Sequence, residues 1–415
     1  MSKVKLSEIG TFKNGLNFSA VKVLSGCKMI GVPDFGDNYF AKMDGLKRID
    51  EDIVSTDYLL KDNDILFVRS NGNKNLVGRA MLIEKVKDKV TFSGFCIRFR
   101  ITNNNVNPLY MLYLFKSPLF RKLFSNTQQT SISNLNQEVL GNIEVELPTI
   151  EQQNSIVKVI HGITRKIENN NRINDNLEQQ LATLYDYWFT QFDFPGSNDK
   201  PYKSNGGLLE WNDTLKRNIP SNWSVDSVAK NSLTKLIKPG VDAFESKTYL
   251  ATADVKGSAI SDGTVIDYET RESRANMQPT EYSVWFAKMK NSIKHLYLNP
   301  EMHPIIEQSI LSTGFCGLQC DEKSFEYISS YIASPYFELH KDVLAHGATQ
   351  EAVNNDDLAG IYLLIPDNNT LEKYHETTQP IYAQIAKNIC ENRELTKLRD
   401  WLLPMLMNGQ ATIKD

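Results

Sequence analysis

"IVKVIHGITRKIENNNRINDNLEQQLATLYDYW", Ile156 to Trp188, decides how this chain is built. Ile156, Ile160, Ile163, Ile167, Asn170, Asn174, Leu177, Leu181, Leu184 and Trp188 recur in alternating steps of four and three, the rhythm of a helix that packs along another helix. Two adjacent seam positions are asparagines. A seam amide costs stability and is tolerated where a partner satisfies it, so it fixes register. Adding 218 to the central positions gives Ile381, Ile385, Asn388, Asn392, Leu395, Arg399, Leu402 and Leu406, with the same polar pair in the middle. The sequence therefore predicts that the two helices pair with each other, antiparallel, asparagine layer against asparagine layer. From Glu151 to Trp188 is 38 residues, a rod of about 57 Å at the helical rise, or roughly one and a half turns of B-DNA.

Working outward, the duplication extends along the whole chain. "LSEI" (Leu6 to Ile9) matches "VDSV" (Val225 to Val228) at an offset of 219, and "ILFVR" (Ile65 to Arg69) matches "VWFAK" (Val284 to Lys288) at the same offset. "GFC" at Gly94 to Cys96 recurs at Gly314 to Cys316, "SPLF" from Ser117 recurs as "SPYF" from Ser334, and Pro148 recurs as Pro366. An ordered series with so little drift implies two copies of one unit. Before each matched proline come short β-branched and aromatic runs such as "DILFV" and "NIEVEL", which read as strands. The expected fold is α+β, with a first β-rich domain over 1–147, a spacer helix over 148–195, a linker and second β-rich domain over 196–365, and a second spacer helix over 366–415. "GSNDKPYKSNGG", Gly196 to Gly207, has the composition of the joining loop. On this reading Phe95 and Phe315 occupy equivalent places on a core strand.

The 415 residues suit two domains, and the apolar and charged fractions are those of a globular protein. No uninterrupted apolar run reaches membrane-spanning length and no secretory leader is evident, so a cytoplasmic location is expected. Five cysteines without any CxxC pair read as reduced thiols. A net charge of −4 leaves nucleic acid open as a partner, because phosphate binding depends on where the positive charges sit.

Catalytic signatures are sparse. There is no Gly-rich phosphate loop. "SPYF" and "SPLF" fall one proline short of the tetrad used by amino-group DNA methyltransferases, and in helical surroundings Ser-Pro reads as the start of a helical turn. "DEK" at Asp321 to Lys323 is a weak fragment of a nuclease pattern, and with no matching upstream acidic partner it reads as a solvated turn. Cys316 and Cys320 with His295 and His303 could be drawn as a metal site, but the spacing is poor for zinc and the first copy offers only Cys96. No metal and no cofactor are expected in this chain. A DNA-modifying or DNA-cleaving enzyme with a degenerate site is the rival.

Charge is more informative. Ile65 to Ile83 contains no acid, and "RSNGNKNLVGR" supplies Arg69, Ser70, Asn71, Lys74, Asn75 and Arg79. Tyr282 to Pro300 likewise contains no acid and supplies Lys288, Lys290, Asn291, Lys294 and His295 at the equivalent place. Cations meet phosphate, while Arg, Asn and Gln can read base edges. A second candidate pair, "NTQQTSISNLNQ" and "HGATQEAVNNDD", contributes Gln128, Gln129, Thr130 and Ser131, then Thr349 and Gln350. Capped helix starts and binding loops are both open readings there.

In this order and spacing, "QQTSISNLNQEVLGNIEVELPTIEQQNSIVKVI", "IPSNW" (Ile219 to Trp223) and "ATQEAVNNDDLAGIYLLIP" resemble the DNA specificity subunit of type I restriction-modification systems over essentially the whole chain. The resemblance implies a non-catalytic subunit with two target-recognition domains, each reading one half of a split double-stranded DNA site, and a coiled coil that sets the gap. It also implies docking of two adenine methyltransferase subunits and of ATP-driven restriction subunits. S-adenosylmethionine, ATP and Mg would then belong to those partners.

Overall fold

The computed structural model describes residues 2–17, 25–36, 38–73, 76–120, 135–196, 199–257, 259–411 and 413. The chain divides into two compact units, one formed by 1–165 with 397–415, the other by Lys166–Thr396. This division differs from the four expected segments because each spacer helix contributes one end to each unit's core. Ile156, Val157 and Ile160 lie in the core of the first unit with Leu403, Leu406 and Met407. Trp188 and Phe189 lie in that of the second with Leu371 and Tyr374.

Each unit repeats one β architecture. In the first, strands Gly10–Asn14, Cys96–Ile101, Ile65–Val68 and Ala80–Leu82 form a sheet in that spatial order. In the second, Thr234–Leu236, Phe315–Cys320, Ser283–Ala287 and His295–Leu298 take the same places. A further sheet in each unit contains a parallel pair, Cys27–Ile30 with Val90–Phe92 and Lys247–Leu250 with Ser309–Ser312. The chain enters and leaves the β-rich part of each unit, its head, on neighbouring antiparallel strands. Ser2–Lys5 pairs with Glu144–Leu147, and Ser224–Ser227 pairs with Tyr362–Ile365.

The backbone ladders correct two of the sequence matches. Val68 pairs with Cys96, whereas the residue pairing with Phe315 is Ala287. The Arg69 amide donates to Phe95 O and the Lys288 amide to Gly314 O. Phe95 is therefore equivalent to Gly314, and Cys96 to Phe315: the two Gly-Phe-Cys words sit one residue out of step. A one-residue slip on a strand exchanges its faces. Cys96 accordingly packs with Ile30, Leu66 and Phe92, on the face away from the unit's helices, while Cys316 packs on the helix side with Val284 and Phe325. Phe95 is 60% exposed and Phe315 fully buried. "LSEI" is likewise out of step with "VDSV", since Leu6–Ile9 is a helical turn and Val225 lies within a strand.

The spacer helices, Ile150–Tyr185 and Asn368–Met407, start on local caps. Thr149 and Gln152 cap each other reciprocally at the first helix. Asp367 accepts the amides of Asn369 and Thr370 at the second, and its other oxygen accepts the indole N–H of Trp223 at 3.0 Å. "IPSNW" thus holds the start of the second helix. Within the second unit the helices run antiparallel. Asn170 Nδ2 donates to Asn392 Oδ1 (2.9 Å), Asn388 Nδ2 donates to Asn174 Oδ1 (2.7 Å), and Leu181 packs with Tyr382 and Ile385. Asn170, Asn174 and Asn388 are buried, so these amides rely on each other.

Candidate nucleic-acid interface

Both heads place a cation at the residue that follows the central strand of the sheet. In the first head that residue is Arg69, whose guanidinium also donates to Gly94 O (3.3 Å). Leu135 N–H donates to Arg69 O, and Val353 N–H donates to Lys288 O, so the segments preceding both matched prolines meet the strand ends alike. In this way the two kinds of candidate segment converge in each head.

The second head shows the convergence in detail. Met289 bridges to Ala352, Lys290 N–H donates to Glu351 O (3.0 Å), and Lys290 Nζ lies 2.7 Å from Glu351 Oε2. Gln350 Nε2 reaches Met289 Sδ at 3.4 Å. Thr349, Gln350 and Asn291 are exposed, while Lys288, Lys290 and Lys294 are half-buried. Lys294 Nζ is held by Thr252 O. His295 stands apart from these surface groups. It is buried, and its Nε2 lies 2.8 Å from Glu338 Oε1, so alternation along strand His295–Leu298 turns it inward.

In the first head Ser70 and Asn71 are half-buried and Asn71 Oδ1 accepts the Asn73 amide. Arg79 donates to Gly36 O at 2.8 Å. Lys74, Asn75, Gln128, Gln129, Thr130 and Ser131 lie outside the described residues. Asn136, a few residues further on, caps helix Gln137–Gly141 through the Val139 amide, and in the second head Asn354 accepts the amides of Asp356 and Asp357. Phe95 was not singled out from sequence as a surface residue. A reading of "SG" as a turn rather than a strand would have exposed it.

The remaining chemical candidates have structural employment. Ser334 Oγ accepts the Phe337 amide and Ser117 Oγ that of Phe120, so both Ser-Pro pairs open helical turns. Asp321 Oδ1 accepts the Ser324 amide and Lys323 pairs with Glu372. Burial pushes the Cys96 and Cys316 thiols up to about 12. Among the described residues no three His, Cys, Asp or Glu side chains converge as metal ligands. Among the described residues no helix is long and apolar enough to cross a membrane.

Glu338 gives the interface a pH signature. Burial pushes its carboxyl up, but hydrogen bonds from His295 and Lys341 outweigh this and hold it below the ordinary carboxylate value of 4.5. A carboxylate with a depressed folded-state pKa adds stability above its unfolded pKa and loses it as pH falls through the folded one. Thermal melts should therefore show stability falling on acidification below pH 4.5. Glu338→Gln should lower stability at neutral pH and flatten that part of the profile. An unchanged acid limb in the variant would refute the assignment.

Comparison with known proteins agrees with this geometry. Residues 1–179 match the family described as the type I restriction modification DNA specificity domain. The "Type I restriction enzyme MjaIX specificity subunit" of Methanocaldococcus jannaschii is 24% identical over 347 residues, 78% of this chain and 73% of the relative. The HindI specificity subunit of Haemophilus influenzae is 21% identical over 413 residues, covering 85% and 87%. The crystal structure of a type I restriction-modification S subunit from M. genitalium aligns over 98% of this chain and 95% of that one, with TM-score 0.54 at 13% identity, which shows a shared fold. Matches along most of the chain, a common fold and an internal duplication closed by paired helices together make this chain similar to the type I restriction-modification specificity subunits.

Proposed function

We propose that the chain reads a split double-stranded DNA site, one half with each head, and performs no chemistry itself. The observation that carries this reading is the structural equivalence of Arg69 and Lys288, each at the end of the same strand of a repeated sheet and each beside a polar segment. Two heads on one chain add their binding free energies, so base pairs between the half-sites need no contact. A good bidentate base contact discriminates by about 1 to 3 kcal/mol, and Arg69 and Asn71 supply side chains of that kind, with Ser70 offering a single hydroxyl. Phe95, exposed beside Arg69, adds an aromatic face suited to stacking on, or wedging beside, a base.

Two adenine methyltransferase subunits docked on the chain would supply S-adenosylmethionine chemistry. A restriction subunit would add ATP- and Mg-dependent steps, and the assembly would work in the cytoplasm. The acidic net charge fits a reader whose partners share the neutralisation of the DNA backbone.

The test is a map of methylated adenines in cells that carry this chain with its methyltransferase subunit. A split motif with two constant halves is expected. Methyl transfer or DNA cleavage by the isolated chain, given S-adenosylmethionine or a divalent metal, would favour the enzymatic rival. Arg69→Ala is expected to relax the half read by the first head and reduce methylation of the native motif about tenfold or more, corresponding to one lost base contact. Phe95→Ala should affect the same half and leave the other constant.

A further inference from the structure

The loop between strands Ser283–Ala287 and His295–Leu298 is held on two sides. One side is the 351–353 segment described above. The other is helix Pro335–Leu344. Lys341 on that helix is fully buried, and its Nζ donates to Ser292 O at 3.2 Å and to Glu338 Oε2 at 2.6 Å. Glu338 uses its other oxygen for His295 Nε2, at the end of the loop. Asp342 accepts the Asn291 amide at 3.0 Å and approaches Lys341 Nζ at 3.5 Å. Asn291 itself has φ +56°, a left-handed conformation that asparagine enters more readily than other residues with a Cβ, and the Asp342 carboxylate holds its amide there.

A buried lysine with two carboxylates around it is a costly arrangement, since replacement by apolar side chains often stabilises a core. Its placement suggests what it does instead. The charged groups contact the loop backbone at Asn291 and Ser292 and the side chain at His295, at the loop tip and on its C-terminal side, while the 351–353 segment holds the N-terminal side. A loop already held in its binding conformation avoids the ordering cost that a free loop bears when it binds.

We propose that Lys341, Glu338 and His295, with Asp342, are positioning residues: a buried ionic clamp that fixes the 288–294 loop of the second head in the conformation that meets DNA. This inference rests on the DNA-reading function proposed above. The clamp acts through the loop backbone, so its loss widens the sequence tolerance of one half-site rather than removing a phosphate contact.

The experiment is methylation mapping in cells carrying the full chain with its methyltransferase subunit, using wild type, Lys341→Met, the double variant Glu338→Met with Lys341→Met, and Asp342→Ala. Arg69→Ala in parallel assigns each half of the motif to a head. Lys341→Met is expected to make the second head's half degenerate and lower methylation of the native motif by about tenfold or more. The first head's half and the gap stay constant. The double variant, which removes both buried charges, should restore folding stability without restoring the motif, separating positioning from stability. Asp342→Ala, which releases only the Asn291 amide, should relax the same half more weakly. An unchanged motif in folded Lys341→Met chain overturns the proposal, as does a uniform fall with both halves intact. If neither Lys341 variant folds, an unchanged motif with Asp342→Ala overturns it. A wild-type map with no split motif would sink the DNA-reading function itself, an outcome the variants cannot mimic.

Discussion

Four alanines inserted between Asn171 and Arg172 are expected to abolish site-specific methylation and to lower the unfolding temperature of the chain. Asn170 pairs with Asn392 at one point of the second unit, and Trp188 stacks edge-on against Tyr374 at another. The insertion adds about 6 Å of helix between these two anchors, while the facing helix keeps its length. An inserted alanine then stands in the slot of Asn174, and Asn388 loses the amide oxygen to which it donates. An unsatisfied buried donor alone costs about 1 to 3 kcal/mol. Leu177 moves into the slot of Leu181, so part of the seam heals only by drawing Trp188 and Phe189 out of the core. A matched insertion of seven residues in each helix keeps the seam rhythm and should restore folding. It should also lengthen the gap of the methylated motif by about three base pairs, from the ratio of helical rises. Unchanged gap and stability after the four-residue insertion would refute the pairing as a determinant of either.

Trp285→Ala is expected to destabilise the second head by about 3 to 5 kcal/mol, the range for emptying a fully buried aromatic site. The ring is completely buried, its indole N–H donates to Ser283 Oγ at 2.8 Å, and it lies against Gly317, its register partner on the next strand. A Cβ on Gly317 would come 2.5 Å from the ring. Gly317→Ala should therefore cost about 1 to 3 kcal/mol by overpacking. In the first head the same two places hold Leu66 and Arg98, so the bulk is redistributed across the pair. Denaturant unfolding with unchanged midpoints in both variants would contradict this packing.

The helix pairing was legible because two independent signals coincided: the apolar period, and a polar interruption at the same place in both copies. Strand register was less legible. Gly-Phe-Cys is a word of small and apolar residues that fits either face of a strand bounded by a turn. What fixes the face is bulk on the neighbouring strand, such as Trp285 against Gly317, and a single strand's sequence does not contain it. The site divides along the same line. Arg69 and Lys288 were legible because they follow an apolar run in both copies. His295 was read as a surface cation, since nothing nearby in sequence signals that Glu338, 43 residues later, waits for it in the interior. Lys341 lies on a helix whose charged residues look solvated in one dimension, and only tertiary packing shows it enclosed.

The antiparallel strands that close each head, Ser2–Lys5 with Glu144–Leu147 and Ser224–Ser227 with Tyr362–Ile365, bring the chain's entry and exit side by side. Each head is therefore a cassette whose backbone enters and leaves through one antiparallel strand pair and whose core rests on the ends of the spacer helices. Recombination that respects those strands can exchange one cassette for another and leave the helical frame intact. Diversity of recognition then becomes a matter of shuffling parts rather than of remaking a protein.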